Sequence, residues 1–202
     1  MQKYIIAGPQ GCGKGTQARL LCRDYDMEHI SIGDIFRWNM NHHTKLAARV
    51  RRIMEQGLLV PDEIVEEVVR KRLEEHDWNY GFILDGFPRT SAQAEFLFES
   101  YNLDAAIYLD VPNDVVYERV MHRAKAGDGD ASNIRADDNP EALRVRLREY
   151  HEKTAPLLKL YEEKGILVRV NGVGSIEEIY QAIRQSLGLP EPKQDANPAS
   201  ES

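Results

Sequence analysis

The sequence predicts an α/β fold in three layers, α/β/α, with a five-stranded parallel sheet between helices. Three observations carry this expectation. Five short apolar stretches, at 3–7, around 28–31, 82–85, 105–111 and 167–170, are separated by longer segments of helical periodicity. Strands alternating with helices imply parallel neighbours joined by crossovers. The first stretch, Tyr4-Ile5-Ile6-Ala7, runs directly into Gly8-Pro9-Gln10-Gly11-Cys12-Gly13-Lys14-Gly15-Thr16, and a helical pattern holding Leu20 and Leu21 follows at once. Strand, glycine-rich loop and helix N-terminus in that order are the context of a phosphate-binding loop. The third stretch, Phe82-Ile83-Leu84-Asp85, ends in an acid and leads into Gly86-Phe87-Pro88-Arg89-Thr90. Chemistry-bearing residues thus gather beyond the carboxyl ends of strands, where ligands of such folds sit.

The glycines let the first loop fold round an anion with successive N–H groups pointing inward. The helix behind it adds unpaired donors and the positive end of its dipole. Lys14 is placed to reach the outer phosphates as a mobile cation. The general loop has Ser or Thr directly after the lysine; here Gly15 stands there, with Thr16 behind it. Asp85, ending a neighbouring strand, has the position and chemistry to hold Mg²⁺ through oxygen or water.

Further along, Leu46, Val50, Ile53 and Met54 keep a helical period, as do Ile64, Val65, Val68, Val69 and Leu73. Pro61 is expected at the first position of the second helix, with Asp62 and Glu63 in its first turn. A stripe through Leu143, Leu147, Tyr150, Thr154, Leu157 and Tyr161 contains Pro156, which should kink or break it. Ser175 and Glu178 read as a capping box opening a last helix that stops at Gly188. Two segments interrupt the alternation. Residues 31–60 hold helical pattern without a return strand, which suggests a helical insertion. Residues 124–140 form a polar loop containing Gly127 and Gly129, longer than most connections and read as a lid. The stretch from Pro190 to Ser202 has too little apolar surface to offset its ordering entropy and is expected to be disordered.

Composition removes several functions. A net charge of −7 argues against wholesale nucleic-acid binding, so a phosphate site must concentrate its positive charge locally. The two cysteines, Cys12 and Cys22, fall on one early element, which speaks against a structural disulfide and for a reducing, cytoplasmic setting. No C-x-x-C pair or H-E-x-x-H occurs, so no structural zinc site is expected. No apolar run approaches the roughly 20 residues needed to span a bilayer, and the N-terminus lacks the apolar core of a signal peptide.

Six ordered motifs carry a resemblance. They are 8–17 with its Gly-Lys-Gly-Thr, Ser31-Ile32-Gly33-Asp34-Ile35-Phe36-Arg37, Gly57-Leu58-Leu59-Val60-Pro61-Asp62, Asp85-Gly86-Phe87-Pro88-Arg89-Thr90, Arg135-Ala136-Asp137-Asp138, and Glu149-Tyr150-His151 with Thr154-Ala155-Pro156-Leu157. Over about residues 1–188 the chain resembles the adenylate kinases and the wider nucleoside monophosphate kinases, in which Gly after the loop lysine is the normal form. The resemblance implies a P-loop core, a monophosphate-binding insertion at 31–60 and a short lid at 124–136 without the zinc site of longer lids. It implies reversible transfer of the terminal phosphoryl of Mg·ATP to a nucleoside monophosphate, with ATP, AMP and ADP as small-molecule partners and a monomer as the working unit.

Roles follow motif by motif from the same resemblance. Gly11, Cys12, Gly13, Lys14, Gly15, Thr16, Arg119, Arg123 and Gly174 would bind ATP, Arg119 by stacking on the base. Ile32, Arg37, Leu58, Leu59, Val60, Gly86, Phe87, Pro88, Arg89, Gln93, Arg135 and Arg146 would bind AMP. Lys14, Arg89, Arg123, Arg135 and Arg146 would converge on the transferring group, with Asp85 on Mg²⁺ through water. The chemistry agrees: phosphoryl transfer needs positioning and cations, and arginine's planar fork matches phosphate.

The acceptor base is less determined. Thr90-Ser91-Ala92-Gln93 looks like the adenylate kinase pattern, whose Gln hydrogen-bonds adenine, but it also matches a capping box. Ile32 stands where these kinases generally have Thr or Ser. Uridylate/cytidylate kinase therefore remains the alternative to adenylate kinase. A GTPase-like switch would need an Asn-Lys-x-Asp stretch, which does not occur. A non-catalytic sensor would lack the arginines 123, 135 and 146.

Overall fold

A computed structural model describes residues 1–77, 79–126 and 139–192. Its centre is a five-stranded sheet of β1 (Lys3–Ala7), β2 (Met27–Ser31), β3 (Gly81–Asp85), β4 (Ala105–Asp110) and β5 (Leu167–Asn171). The order is β2-β3-β1-β4-β5, and every pairing is parallel. Period-two alternation sends neighbouring side chains to opposite faces. Ile5, Ile30, Phe82, Leu84 and Ala106 join one buried cluster, whereas Tyr4, Ile6, Ile83, Ile107 and Leu109 join another. Burial on both faces explains why the strands read as continuous apolar runs rather than alternating ones.

The chain leaves β1 for β2 on one side and later returns to β4 on the other, so β1 is the switch point. The loop after β1 lies in the crevice that this reversal opens. Helix α1 (Lys14–Tyr25) starts from that loop. Residues 32–55 between β2 and α4 hold two helices, α2 (Ile32–Asn41) and α3 (Lys45–Glu55). Ser31 caps α2 and Thr44 caps α3 through their side-chain oxygens, each satisfying one orphan N–H. Helix α4 (Asp62–Glu74) begins one residue later than expected: Pro61 is its cap, and the Pro61 carbonyl receives the N–H groups of Ile64 and Val65. The helices α5 (Ser91–Ser100), α6 (Asn113–Ala126), α7 (Pro140–Glu149), α8 (Leu157–Glu163) and α9 (Ile176–Ser186) complete the layers.

Pro156 acts as the sequence suggested, by an unusual route. Between α7 and α8 the backbone widens into a π-turn at Tyr150–Thr154, with Ala155 N–H donating to the Tyr150 carbonyl at 2.8 Å. A proline four residues ahead would clash with a normal α-helical carbonyl and offers it no N–H, and such bulges favour functional sites. The Ser175–Glu178 capping box is present in both directions. Helix α9 ends at Ser186, with Gly188 at φ 64° just beyond. The first residues of the stretch expected to be disordered, 190–192, are described, and Pro190 and Glu191 contact the body of the fold. Tyr25 Oη and Arg184 donate to the Pro190 carbonyl, and Arg184 pairs with Glu191 at 2.9 Å. Residues 193–202 and most of the expected lid, Gly127 and Gly129 included, lie outside the described residues.

Candidate active site

A cavity of about 660 Å³ opens beyond the carboxyl ends of β1 and β3. Every predicted site residue lines it except Phe87 and Arg135. The Phe87 side chain is buried in the core edge-on to Phe96, so only its backbone remains with the turn. Arg135 lies outside the described residues.

At one end the loop after β1 wraps inward. Gly11 has φ 84°, and a Cβ there would lie 2.5 Å from a Val120 methyl on α6. No side chain fits this approach, and the dihedral favours glycine. Lys14 Nζ donates to the carbonyls of Gly8 and Pro9, both at 2.8 Å. The ammonium therefore folds back over the loop mouth on neutral acceptors, which an anionic phosphate can outcompete. Cys12 is fully buried beneath it; burial pushes its thiol up, against the opposing charge of Lys14. Arg119 donates to the Cys12 carbonyl at 3.3 Å and the Gly172 carbonyl at 3.0 Å, tying the loop to the end of β5.

Asp85 ends β3 beside this loop. Burial pushes its carboxyl toward protonation, but the His29 hydrogen bond and the charges of Lys14, His29 and Arg89 outweigh that and hold it below the usual carboxylate range. His29 Nε2 is 3.2 Å from Asp85 Oδ2. An anionic oxygen held here fits a hard cation or its water shell.

The far end of the cavity is built by longer connections. Arg89 Nε donates to the Gly86 carbonyl at 2.8 Å. The π-turn brings Thr154 round so that its hydroxyl donates to the Arg89 carbonyl at 2.9 Å. Arg37 pairs with Asp34 one helical turn before it. Arg146 reaches from α7 to Gln10 Oε1 at 2.6 Å and the Met54 carbonyl at 3.4 Å, joining the phosphate loop to α3. Ile32 is buried at the start of α2. Gln93 is buried too and only half a helix cap: its N–H donates to Thr90 Oγ1, but its own Oε1 accepts from Arg89 N–H rather than from Thr90.

Sequence reasoning missed His29, Gln10 and the hydroxyl of Thr154. His29 sits in a strand that reads as structural, and its partner is 56 residues away. Thr154 stood in a recognised motif, yet only the π-turn gives its hydroxyl a partner.

A glycine-rich loop suited to phosphates, Lys14, the arginines 37, 89, 119, 123 and 146, and an anionic Asp85 all line one cavity. That arrangement suits transfer between two phosphorylated ligands. Comparison with known proteins agrees. The family model described as adenylate kinase matches residues 6–166. The chain is 44% identical over 182 residues to an adenylate kinase of Bifidobacterium longum, covering 88% of this chain and 95% of that one. It is 42% identical over 187 residues to one of Bartonella tribocorum, covering 90% and 97%. With an adenylate kinase of Thermobifida fusca the identity is 42% over 190 residues, covering 92% and 97%. The chain therefore belongs to the adenylate kinase family and is a nucleoside monophosphate phosphotransferase.

Proposed function

We propose that this chain transfers the terminal phosphoryl of Mg·ATP reversibly to AMP, giving two ADP. The observation that carries the reading is the single cavity with a phosphate loop at one end and Arg37, Arg89 and a buried Gln93 at the other. Nothing in the structure or the relatives favours a pyrimidine acceptor.

In this reading the N–H groups of Gly11, Cys12, Gly13, Gly15 and Thr16 cradle the donor phosphates. Lys14 leaves the Gly8 and Pro9 carbonyls for the transferring group. Arg119 and Gly174 flank the donor base. Arg37 and Arg89 grip the acceptor phosphate, while Ile32, Leu58, Leu59, Val60, the 86–88 turn and Gln93 surround its base. Arg123, Arg135 and Arg146 add charge where the phosphoryl passes, since such transition states are stabilised chiefly by placed cations. Mg²⁺ neutralises phosphate charge when bound. Asp85 would hold it through water, and no cluster of three or more His, Cys, Asp or Glu exists among the described residues, so phosphate oxygens and water would complete its shell.

The segments 31–60 and 124–136 would close over the two nucleotides, excluding water so that the phosphoryl is transferred rather than hydrolysed. Residues of both proposed sets line one cavity of one chain, so a monomer would suffice. No described helix is long and apolar enough to cross a membrane, and the two cysteines are free, which supports a cytoplasmic setting. The test is a steady-state assay with Mg·ATP and each of AMP, CMP, UMP and GMP. Strong preference for AMP is expected; comparable use of CMP or UMP would overturn the assignment.

A further inference from the structure

Asp62, the first residue of α4, has no part in the reaction as described so far. Its two carboxylate oxygens are both engaged across the cavity wall. Oδ1 accepts from Gln93 Nε2 at 2.7 Å, and Oδ2 accepts from the Thr90 hydroxyl at 3.0 Å. Gln93 Oε1 in turn accepts from Arg89 N–H at 2.8 Å. A carboxylate only accepts and a backbone N–H only donates. With one at each end of the carboxamide, a single orientation satisfies both, because a flip would set oxygen against oxygen and N–H against N–H. The chemistry of the partners thus fixes which way Gln93 faces, independently of how its two terminal atoms are placed.

We propose that Asp62 is a specificity-positioning residue: it locks the Gln93 amide so that the acceptor pocket selects an amino-bearing base over an oxo-bearing one. This rests on the reading of Gln93 as the residue that meets the acceptor base. An amide has two N–H groups and two acceptor positions. The protein takes one of each, leaving one N–H on Nε2 and one lone pair on Oε1 in a fixed order. That pair matches the edge of a 6-aminopurine, whose amino group donates and whose N1 accepts. A 6-oxopurine of the same size presents the reverse order and would leave both ends of Gln93 opposing like groups. Sites that hydrogen-bond a substrate reject analogues that leave their polar groups unpaired.

The placement of Asp62 supports the same role. It follows Val60 and Pro61, and Val60 lines the cavity. The Pro61 carbonyl is held by the first amides of α4. Asp62 thus anchors the segment on one side of the base pocket to Gln93 on the other, α4 against the start of α5. Its charge also lies at two helix N-termini, where a carboxylate is favoured. A helix-cap role for Gln93 explains neither contact: a capping box returns the side chain to the cap residue's own N–H, and here it goes to Arg89 while the amino group goes to Asp62.

The experiment compares AMP with IMP as acceptors, using Mg·ATP as donor, in the wild type and in Asp62→Ala, Asp62→Asn and Gln93→Leu. Asp62→Asn keeps the shape but offers one carboxamide oxygen to two donors, Thr90 and Gln93. The expected result is a fall in the AMP-to-IMP ratio of kcat/KM of about tenfold in Asp62→Ala and about threefold in Asp62→Asn. The loss should fall mainly on the KM for AMP, with the KM for ATP moving less than about twofold. A purely structural tether would lower both acceptors together and leave the ratio unchanged. An unchanged ratio in either folded Asp62 variant, with a collapse in Gln93→Leu, overturns the role of Asp62 and keeps Gln93 as base reader. An unchanged ratio in Gln93→Leu as well overturns the base reading itself.

Discussion

The phosphate loop and the base pocket share one cavity but are built differently. The loop is local. Residues 8–16 close on their own backbone, Lys14 rests on carbonyls five and six residues before it, and the glycine at 11 admits α6. The base pocket is assembled from distant pieces: Asp62 reaches Gln93 across 31 residues, and Thr154 reaches Arg89 across 65. Their cations differ too. Lys14 is parked on neutral oxygens, whereas Arg37 is held by the carboxylate of Asp34. An incoming phosphate displaces the first at little cost but must compete with a full negative charge for the second. In the proposed reading the donor end would therefore need less rearrangement than the acceptor end, where Arg37 must leave Asp34.

The largest effect should come from the donor end. Lys14→Ala removes the one side-chain cation of the loop itself, and turnover should fall by about 10³. The thermal midpoint should move little, because Lys14 and its bonds to the Gly8 and Pro9 carbonyls are only partly buried. Near-normal turnover in a folded Lys14→Ala would erase the contrast between a donor end that needs little rearrangement and an acceptor end that needs more.

The next effect tests whether the loop's shape is as local as its bonds. Gly11→Ala places a methyl 2.5 Å from Val120 at a dihedral that disfavours side chains. Left-handed strain and overpacking together should cost about 2 kcal/mol or more, read as a lower midpoint in urea. The KM for ATP should rise while that for AMP changes less. An equal rise in both would show that α6 transmits the distortion to the acceptor end.

What the sequence made legible follows the same division. The five strands and the loop could be placed because each is specified by neighbours: apolar runs bounded by turn residues, and glycines at fixed spacing ahead of a helix. The capping box of α9 was legible for the same reason. Pro61 was misplaced by one residue because cap and first-turn positions differ only in which carbonyl the helix uses. The π-turn was legible as a break at Pro156 but not as a device that aims Thr154. His29 on Asp85, Gln10 on Arg146 and Asp62 on Gln93 were invisible, since each pairs residues whose proximity only the sheet order and helix packing create.

The smallest effect concerns Ile32, which stands in the proposed base pocket where the resemblance leads one to expect Thr or Ser. Its side chain is buried at the start of α2 and lines the cavity. An apolar wall discriminates among bases by shape, which is worth less than a hydrogen bond the wrong base cannot make. Ile32→Thr adds a hydroxyl where a base edge can meet it, so AMP should gain on CMP by a fewfold in kcat/KM. Without nucleotide that hydroxyl is buried without an assured partner, and stability should drop by about 1–3 kcal/mol. The two changes oppose each other only if the hydroxyl faces the base, because the bound base then satisfies it. AMP should therefore raise the thermal midpoint of Ile32→Thr by more than it raises that of the wild type. Equal selectivity and equal stabilisation by AMP in the two proteins would mean that Ile32 packs against α2 alone, leaving base choice to Gln93 and its carboxylate anchor.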